Sequence, residues 1–231
     1  MEREKHVAIV LAAGQGKRMH SKVQKQYLLI QGKPVLFYSL KQFQECPFMD
    51  EIILVTGEDE ISYCEKEIVE RYGLTKVSRI VAGGAERFHS VYNGLCAISD
   101  CDFVYIHDGA RPFVDQEMLE RARDDVRTYQ ACVVGMPAKD TVKISDGGGF
   151  AAETPQRSLV WTVQTPQVFA FAKIRDAYQK LMDSGRSDVT DDAMVLECMT
   201  GERVRLTEGS YRNLKITTPE DLEIAEIFAK R

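Results

Sequence analysis

Short unbroken runs of apolar, mostly β-branched residues at 7–11, 52–55, 103–106 and 131–134 constrain this chain more than any other feature. A run without polar alternation is what a strand covered on both faces requires, because side chains on either side must meet apolar neighbours. A further short run at 77–81 is stopped by Gly83-Gly84. Between these runs, apolar residues recur at helical spacing. Leu36, Leu40 and Phe43 form one such face; Ile61, Cys64, Ile68 and Tyr72 a second, over 59–72; Val91, Leu95 and Ile98 a third, over 86–98; Met118, Leu119, Ala122 and Val126 a fourth, near 115–128. Strands alternating with helices every 20–30 residues predict an α/β fold, a mostly parallel sheet with right-handed crossovers and helices on both faces. The 231 residues suffice for one sizeable core, so a single domain over 1–231 is expected.

The alternation breaks between about 137 and 166. Thr141-Val142-Lys143-Ile144 reads as a short strand, Asp146-Gly147-Gly148-Gly149 as a hairpin turn, and 150–154 as the return leg. A two-stranded ribbon cannot bury its own faces and is marginal alone. This arm, near 137–158, is therefore expected to project and to pack against a second copy of the chain. The α/β pattern resumes with helices near 173–183 and 191–199 and a strand at 203–206. Thr218-Pro219-Glu220-Asp221 marks the start of a closing helix, with a capping hydroxyl, proline at the first position and acids in the first turn.

Chemistry concentrates where strands end. After the first strand come Ala12-Ala13-Gly14-Gln15-Gly16-Lys17-Arg18-Met19, with Lys22 and Lys25 close behind. Small residues let backbone N–H groups approach a ligand and the cations add mobile positive charge, a combination suited to a polyphosphate. It is neither a dinucleotide fingerprint, which wants a third glycine where Met19 stands, nor a Walker loop, since Arg18 follows Gly16-Lys17 in place of Ser or Thr. A second loop, Gly83-Gly84-Ala85-Glu86-Arg87 with His89-Ser90, offers bare backbone to a base, and Arg87 and Ser90 could add a phosphate contact and a hydrogen bond. Asp108 ends an apolar strand, where a carboxylate needs a partner: a hard divalent cation bridging phosphates, an ion pair with Arg111, or a capped turn. Ligands of open parallel sheets sit outside the carboxyl ends of the strands. The loops at 12–25, 83–90 and 107–112 and the segment at 213–217 are expected to converge there.

The ordered set Leu11-Ala12-Ala13-Gly14-x-Gly16-x-Arg18-Met19, Lys25-Gln26-Tyr27, Gly83-Gly84-Ala85-Glu86-Arg87-x-x-Ser90-Val91, His107-Asp108-x-Ala110-Arg111-Pro112, Asp140-Thr141, Gln164-Thr165-Pro166-Gln167, Thr190-Asp191-Asp192-Ala193 and Asn213-x-Lys215-Ile216-Thr217 runs over nearly the whole chain. It resembles the 2-C-methyl-D-erythritol 4-phosphate cytidylyltransferase family, within the sugar-nucleotidyltransferase superfamily. The resemblance implies a Rossmann-like fold and transfer of a cytidylyl group from CTP to 2-C-methyl-D-erythritol 4-phosphate, with Mg²⁺ as cofactor. It implies that Arg18, Lys25, Arg157 and Lys215 are catalytic. Ala12, Ala13, Gly14, Gln15, Gly16, Gly83, Gly84, Arg87 and Ser90 would bind CTP. Asp108, Arg111, Thr141 and Thr190 would form the sugar-phosphate pocket, Asp108 also contacting the metal. The arm would be exchanged between two subunits of a homodimer. Three positions depart from the family pattern: Gln24 replaces a proline, Gly109 stands where many members have alanine, and Arg212 precedes Asn213 where many carry aspartate.

Other classes fit less well. A net charge of −5 argues against general nucleic-acid binding and makes the basic loop a local feature. Six scattered cysteines without a Cys-x-x-Cys pair read as buried free thiols in a reducing cytoplasm. No apolar run approaches the roughly 18 residues of a membrane span, and the charged start does not read as a signal peptide. A ribitol-5-phosphate cytidylyltransferase would share most motifs but tends to have Gly-Thr-Gly for Ala12-Ala13-Gly14 and Ser-Val-Arg-Pro for Gly109-Ala110-Arg111-Pro112. A non-catalytic nucleotide-binding relative would be expected to lose Arg18, Lys25 or Lys215, and all three are present.

Overall fold

The structure, a computed structural model, describes residues 3–14 and 23–230. In chain order these are β1 (His6–Leu11), β2 (Leu29–Ile30), β3 (Lys33–Pro34), α1 (Val35–Glu45), β4 (Met49–Thr56), α2 (Ile61–Tyr63), β5 (Val77–Ala82), α3 (Arg87–Ala97) and β6 (Phe103–Asp108). Then follow α4 (Gln116–Tyr129), β7 (Ala131–Pro137), β8 (Ile144–Ser145), β9 (Ala151–Glu153), β10 (Trp161–Ala170), α5 (Phe171–Ser184), α6 (Asp192–Thr200), β11 (Arg205–Glu208) and α7 (Pro219–Phe228). Seven strands form the central sheet in the order β11-β7-β10-β6-β1-β4-β5. Every pairing is parallel except those of β10, which runs antiparallel to both β6 and β7.

The apolar runs are buried as their composition demands. Along β1, Ala8 and Val10 face the core beneath α1 and α4, with Leu36, Leu40, Phe43 and Met118. Val7 and Ile9 face the opposite core, with Val91 and Leu95 of α3 and Ile174 and Leu181 of α5. This period-two partition on a continuous apolar strand is what two helix-covered faces require. At its far end, α7 starts where expected: the backbone N–H of Thr218 donates to Asp221 Oδ2 at 2.9 Å, a capping box with Pro219 in the first turn.

Three sequence expectations change. The sequence reading has no strand at 161–170, yet β10 is ten residues long and lies inside the sheet. Pro166 has no N–H for a ladder, which argues against a central strand. The β10–β7 ladder accordingly shifts register between Val163 and Gln167, around the proline and its cis Thr165–Pro166 bond. The helix expected over 59–72 keeps its buried face, Cys64 and Ile68, but is wound as a 3₁₀ turn (Glu58–Glu60), the short α2 and a π segment (Cys64–Glu70). The ribbon is present and shorter than expected: β8 and β9 pair antiparallel at two positions, and both are exposed. No described helix is long and apolar enough to cross a membrane.

Candidate active site

A cleft of about 520 Å³ opens at the carboxyl ends of β1 and β6. Leu11 and Asp108 are register partners, so the two strands deliver their last residues, and the loops after them, side by side. Backbone bonds then stitch the loops together. Gly109 N–H donates to Leu11 O at 2.8 Å, Ala12 N–H to Val55 O at 2.6 Å, and Gly83 N–H to Thr56 O at 2.7 Å. The cleft is lined by Ala12, Ala13, Gly14, Lys25 and Gln26 on one side. Gly84, Ala85, Glu86, Arg87 and Ser90 form another wall, with Asp108, Ala110 and Lys215 across the floor.

Asp108 is the hub. Lys215 Nζ lies 2.7 Å from Oδ2, and Arg87 Nε donates to Oδ1 at 3.3 Å. Burial pushes the carboxyl pKa up, but Arg87, Lys215 and Arg111 outweigh it and hold the group well below the usual carboxylate range. Asp108 is therefore ionised in the folded protein at any ordinary pH. Its backbone is held from behind: its N–H donates to Thr165 Oγ1 at 3.0 Å. With that oxygen accepting, its own proton is directed to His107 Nδ1, 3.0 Å away. His107 Nε2 then donates to Arg111 O at 3.1 Å. One neutral tautomer satisfies the whole chain, and burial lowers the His107 pKa to about 4.

The glycine turns are sterically required. A Cβ on Gly83 would collide with the Ala13 Cβ and stand 2.8 Å from Ser90 Oγ; one on Gly84 would collide with the Cβ of His89. At Gly83 the two loops can approach this closely, and at Gly84 the second loop can turn onto His89, only without a side chain. Ser90 Oγ accepts from Gly84 N–H at 3.0 Å and donates to Glu86 O at 3.3 Å, and so shapes this loop. His89 accepts from the backbone N–H of Glu86 at 3.3 Å, a helix-capping contact. On the opposite wall the buried amide of Gln26 donates to Ala12 O and, at 3.2 Å, to Gly14 O. Two carbonyls of the small-residue loop are thereby occupied on the side of Gln26. Gln24 has φ −65°, the angle a proline would impose, and its side chain bonds to those of Glu60 and Gln26. Arg212 lies over the Phe228 ring and donates to the Phe228 carbonyl.

Of the residues singled out from the sequence, Ala12, Ala13, Gly14, Lys25, Gly84, Arg87, Ser90, Asp108 and Lys215 line one cleft, and Gly83 sits directly behind it. Gln15, Gly16 and Arg18 lie outside the described residues. Arg111 does not line the cleft; its Nη1 donates to Asn213 O at 2.8 Å. Thr141 and Thr190 are exposed and outside it. Arg157, also exposed, is on the arm and donates to Lys139 O at 3.2 Å. Four residues that support the site carried no role in the sequence reading: Gln26, Thr165, Asp192 and Asn213. Each is polar and at least nine-tenths buried. Asn213 Nδ2 donates to Thr165 O at 2.8 Å, tying the Lys215 segment to the bulged strand β10.

Known proteins resemble this chain over nearly its whole length. Residues 6–231 match the model of the family described as IspD, 2-C-methyl-D-erythritol 4-phosphate cytidylyltransferase. An enzyme of that name from Lachnoclostridium phytofermentans is 50% identical over 227 residues, covering 98% of this chain and 97% of its own. One from Lachnospira eligens is 48% identical over 226 residues, covering 97% and 99%. The crystal structure of 4-diphosphocytidyl-2C-methyl-D-erythritol synthase from Anaerococcus prevotii superposes with a TM-score of 0.86 at 34% identity, over 99% of this chain and 97% of that one.

Proposed function

The chain belongs to the 2-C-methyl-D-erythritol 4-phosphate cytidylyltransferase family, and from that premise we propose how its cleft carries out the reaction. The reaction transfers a cytidylyl group from CTP to 2-C-methyl-D-erythritol 4-phosphate. It yields 4-(cytidine 5'-diphospho)-2-C-methyl-D-erythritol and pyrophosphate, in isoprenoid precursor synthesis. A phosphate oxygen of the acceptor attacks the α-phosphorus of CTP, and the bond to the pyrophosphate oxygen breaks in line. The nucleophile is already largely ionised at neutral pH, so no strong general base is needed. What the protein must supply is alignment and neutralisation of spreading negative charge. The observation that carries this reading is the meeting of Lys25, Lys215 and Asp108 with a small-residue loop in one cleft, with no histidine or cysteine among the described lining residues.

In this reading the backbone of Ala12 to Gly14, with Gln15 and Gly16, cradles the triphosphate, and Lys25 and Arg18 stabilise the charge that develops on it. Gly83, Gly84 and Ser90 shape the wall for cytosine and ribose. Lys215 orients the acceptor phosphate, and Arg111 and Thr190, outside the described lining of the cleft, border the acceptor pocket beyond it. Asp108 also suits Mg²⁺, which prefers one or two carboxylates completed by ligand phosphates. The carboxylate is ionised and lines the cleft. Among the described residues no cluster of three or more His, Cys, Asp or Glu could hold a metal alone. Bound there, Mg²⁺ would neutralise phosphate charge and polarise the reacting phosphorus.

The ribbon supports a homodimer, in which Thr141 and Arg157 of one subunit complete the acceptor pocket of the other. Ile144, Phe150 and Leu159 are 48%, 77% and 75% exposed, which a second chain would relieve. We place the enzyme in the cytoplasm, a compartment that suits six free cysteines; four are buried as expected, while Cys96 and Cys198 are exposed. Pyrophosphate release from CTP with each acceptor tests the assignment. Turnover with 2-C-methyl-D-erythritol 4-phosphate, well above that with ribitol 5-phosphate, is expected. Preference for ribitol 5-phosphate, or turnover with neither, would overturn it.

A further inference from the structure

Arg87 opens α3 on the wall where a contact to CTP is expected, yet its guanidinium is already engaged. Nη1 and Nη2 donate to Asp192 Oδ1 and Oδ2, both at 2.8 Å. Nε alone reaches Asp108, at 3.3 Å. Asp192 comes from the first turn of α6, more than a hundred residues away, and is wholly buried. Its second partner is Tyr178 of α5, also wholly buried, whose hydroxyl donates to Oδ1 at 2.5 Å. A carboxylate removed from water needs a cation and hydrogen bonds, and Asp192 has both.

The geometry has a consequence for the hub. A two-toothed Arg–carboxylate pair fixes the plane of the guanidinium. With the plane fixed, the direction of Nε–H is fixed, and it points to Oδ1 of Asp108. Lys215 holds the other oxygen, Oδ2. The carboxylate of Asp108 is thus oriented from two sides, one of them anchored on a different helix pair.

We propose that Asp192, held by Tyr178, is a positioning residue for catalysis: it locks Arg87 so that Arg87 orients Asp108 instead of binding the CTP phosphates. This rests on the cytidylyltransferase reading of the cleft, for which turnover by the unaltered enzyme is the control. If that enzyme is inactive with CTP and the acceptor, the functional reading fails. A failure confined to the variants below bears on this proposal only.

The test uses the full-length enzyme with Asp192→Asn, Tyr178→Phe, Arg87→Gln and the double change Arg87→Gln/Asp192→Asn. It measures kcat, KM for each substrate, Tm, and CTP affinity by calorimetry without acceptor. Asp192→Asn should lower kcat about 30-fold or more while the CTP Kd stays within about threefold. Tyr178→Phe should shift kcat in the same direction by about three- to fivefold. The double variant, which leaves no unpaired buried charge, should fold even if Asp192→Asn alone does not. Its kcat should be no lower than that of Arg87→Gln, because the two residues act as one unit. A CTP Kd weakened in parallel with kcat would make Arg87 a nucleotide ligand and overturn the proposal. Lowered Tm with unchanged kcat in the folded fraction would make the cluster merely structural, and would overturn it equally.

Discussion

The cleft and the ribbon present their polar residues in opposite ways. At the cleft, both oxygens of Asp108 have a cation, its N–H has Thr165, and Thr165 has His107, all within one chain. On the ribbon, β8 and β9 are joined at two pairing positions, and Lys143 meets Thr154 on an exposed surface. A side chain oriented by buried partners loses little entropy when the substrate arrives; one on an exposed ribbon must be fixed by something else. The cleft groups around Asp108 are therefore preorganised by this chain's own core. On the proposed reading Thr141 and Arg157 depend on a second surface, and the two regions should respond differently to mutation.

The sharpest way to break that contrast is to remove the hub. Asp108→Asn should lower kcat by about 10³-fold, since an oriented charged group acting on phosphoryl transfer is lost while its two cations stay in place unbalanced. Lys25→Ala should lower kcat by roughly 10²-fold, about 3 kcal/mol on the transition state. A Lys25 variant altered only in KM for CTP would contradict its role. Deleting residues 143–152 should give a monomer by sedimentation that still binds CTP but turns over poorly with the acceptor, because the CTP wall lies in the body. Retained dimers or lost CTP affinity would refute the division.

The same contrast appears in stability against pH. The folded pKa of His107, lowered to about 4, means that the unfolded chain binds its proton first, near 6.5. Stability from this group is complete above about pH 6.5 and falls as pH drops toward 4, by up to about 3 kcal/mol. The depressed pKa of Asp108 acts lower still: its contribution is present above about 3.9, the unfolded value, and declines below it. Unfolding midpoints should thus fall between pH 7 and 5, and less so for His107→Gln. Equal slopes in the two proteins would count against the buried neutral tautomer. The smallest effect expected is from Gly109→Ala. The family resemblance makes it a mild change, yet the added Cβ would stand 2.9 Å from Leu11 O and 2.8 Å from Leu36 Cδ1. A loss of about 1–3 kcal/mol in unfolding free energy is expected, and no change would mean that the strand ends are looser than described.

Where the sequence was legible follows from the range of the interaction. The buried strands β1, β4, β6 and β7 announce themselves because each carries an unbroken apolar run, at 7–11, 52–55, 103–106 and 131–134, where both faces are covered. Asp108 was conspicuous as a carboxylate ending such a run. Strand β10 was hidden because Thr165, Pro166 and Gln167 break the apolar pattern; their job is polar. Thr165 braces Asp108, and Gln167 accepts from Ala193 N–H at 2.8 Å and donates to Asp191 at 3.0 Å. Asp192 is legible as a member of the Thr190-Asp191-Asp192-Ala193 motif, but with no role attached to it. Its partner Arg87 lies 105 positions away, and no local spacing encodes that pairing. Gln26 likewise acts through two backbone carbonyls, which leave no trace in side-chain pattern.

The division between a self-supported cleft and a borrowed arm is tested most directly by mixing two inactive chains, Arg157→Ala and Lys25→Ala. If each acceptor pocket takes its Arg157 from the other subunit, a mixed dimer has one site with neither lesion and one with both. Equal mixing with free exchange should then restore about a quarter of the unaltered activity, since half the dimers are mixed and each has one whole site. If Arg157 serves its own chain, every site in every dimer carries a lesion. Mixing would then restore nothing, and the account of the arm would be contradicted.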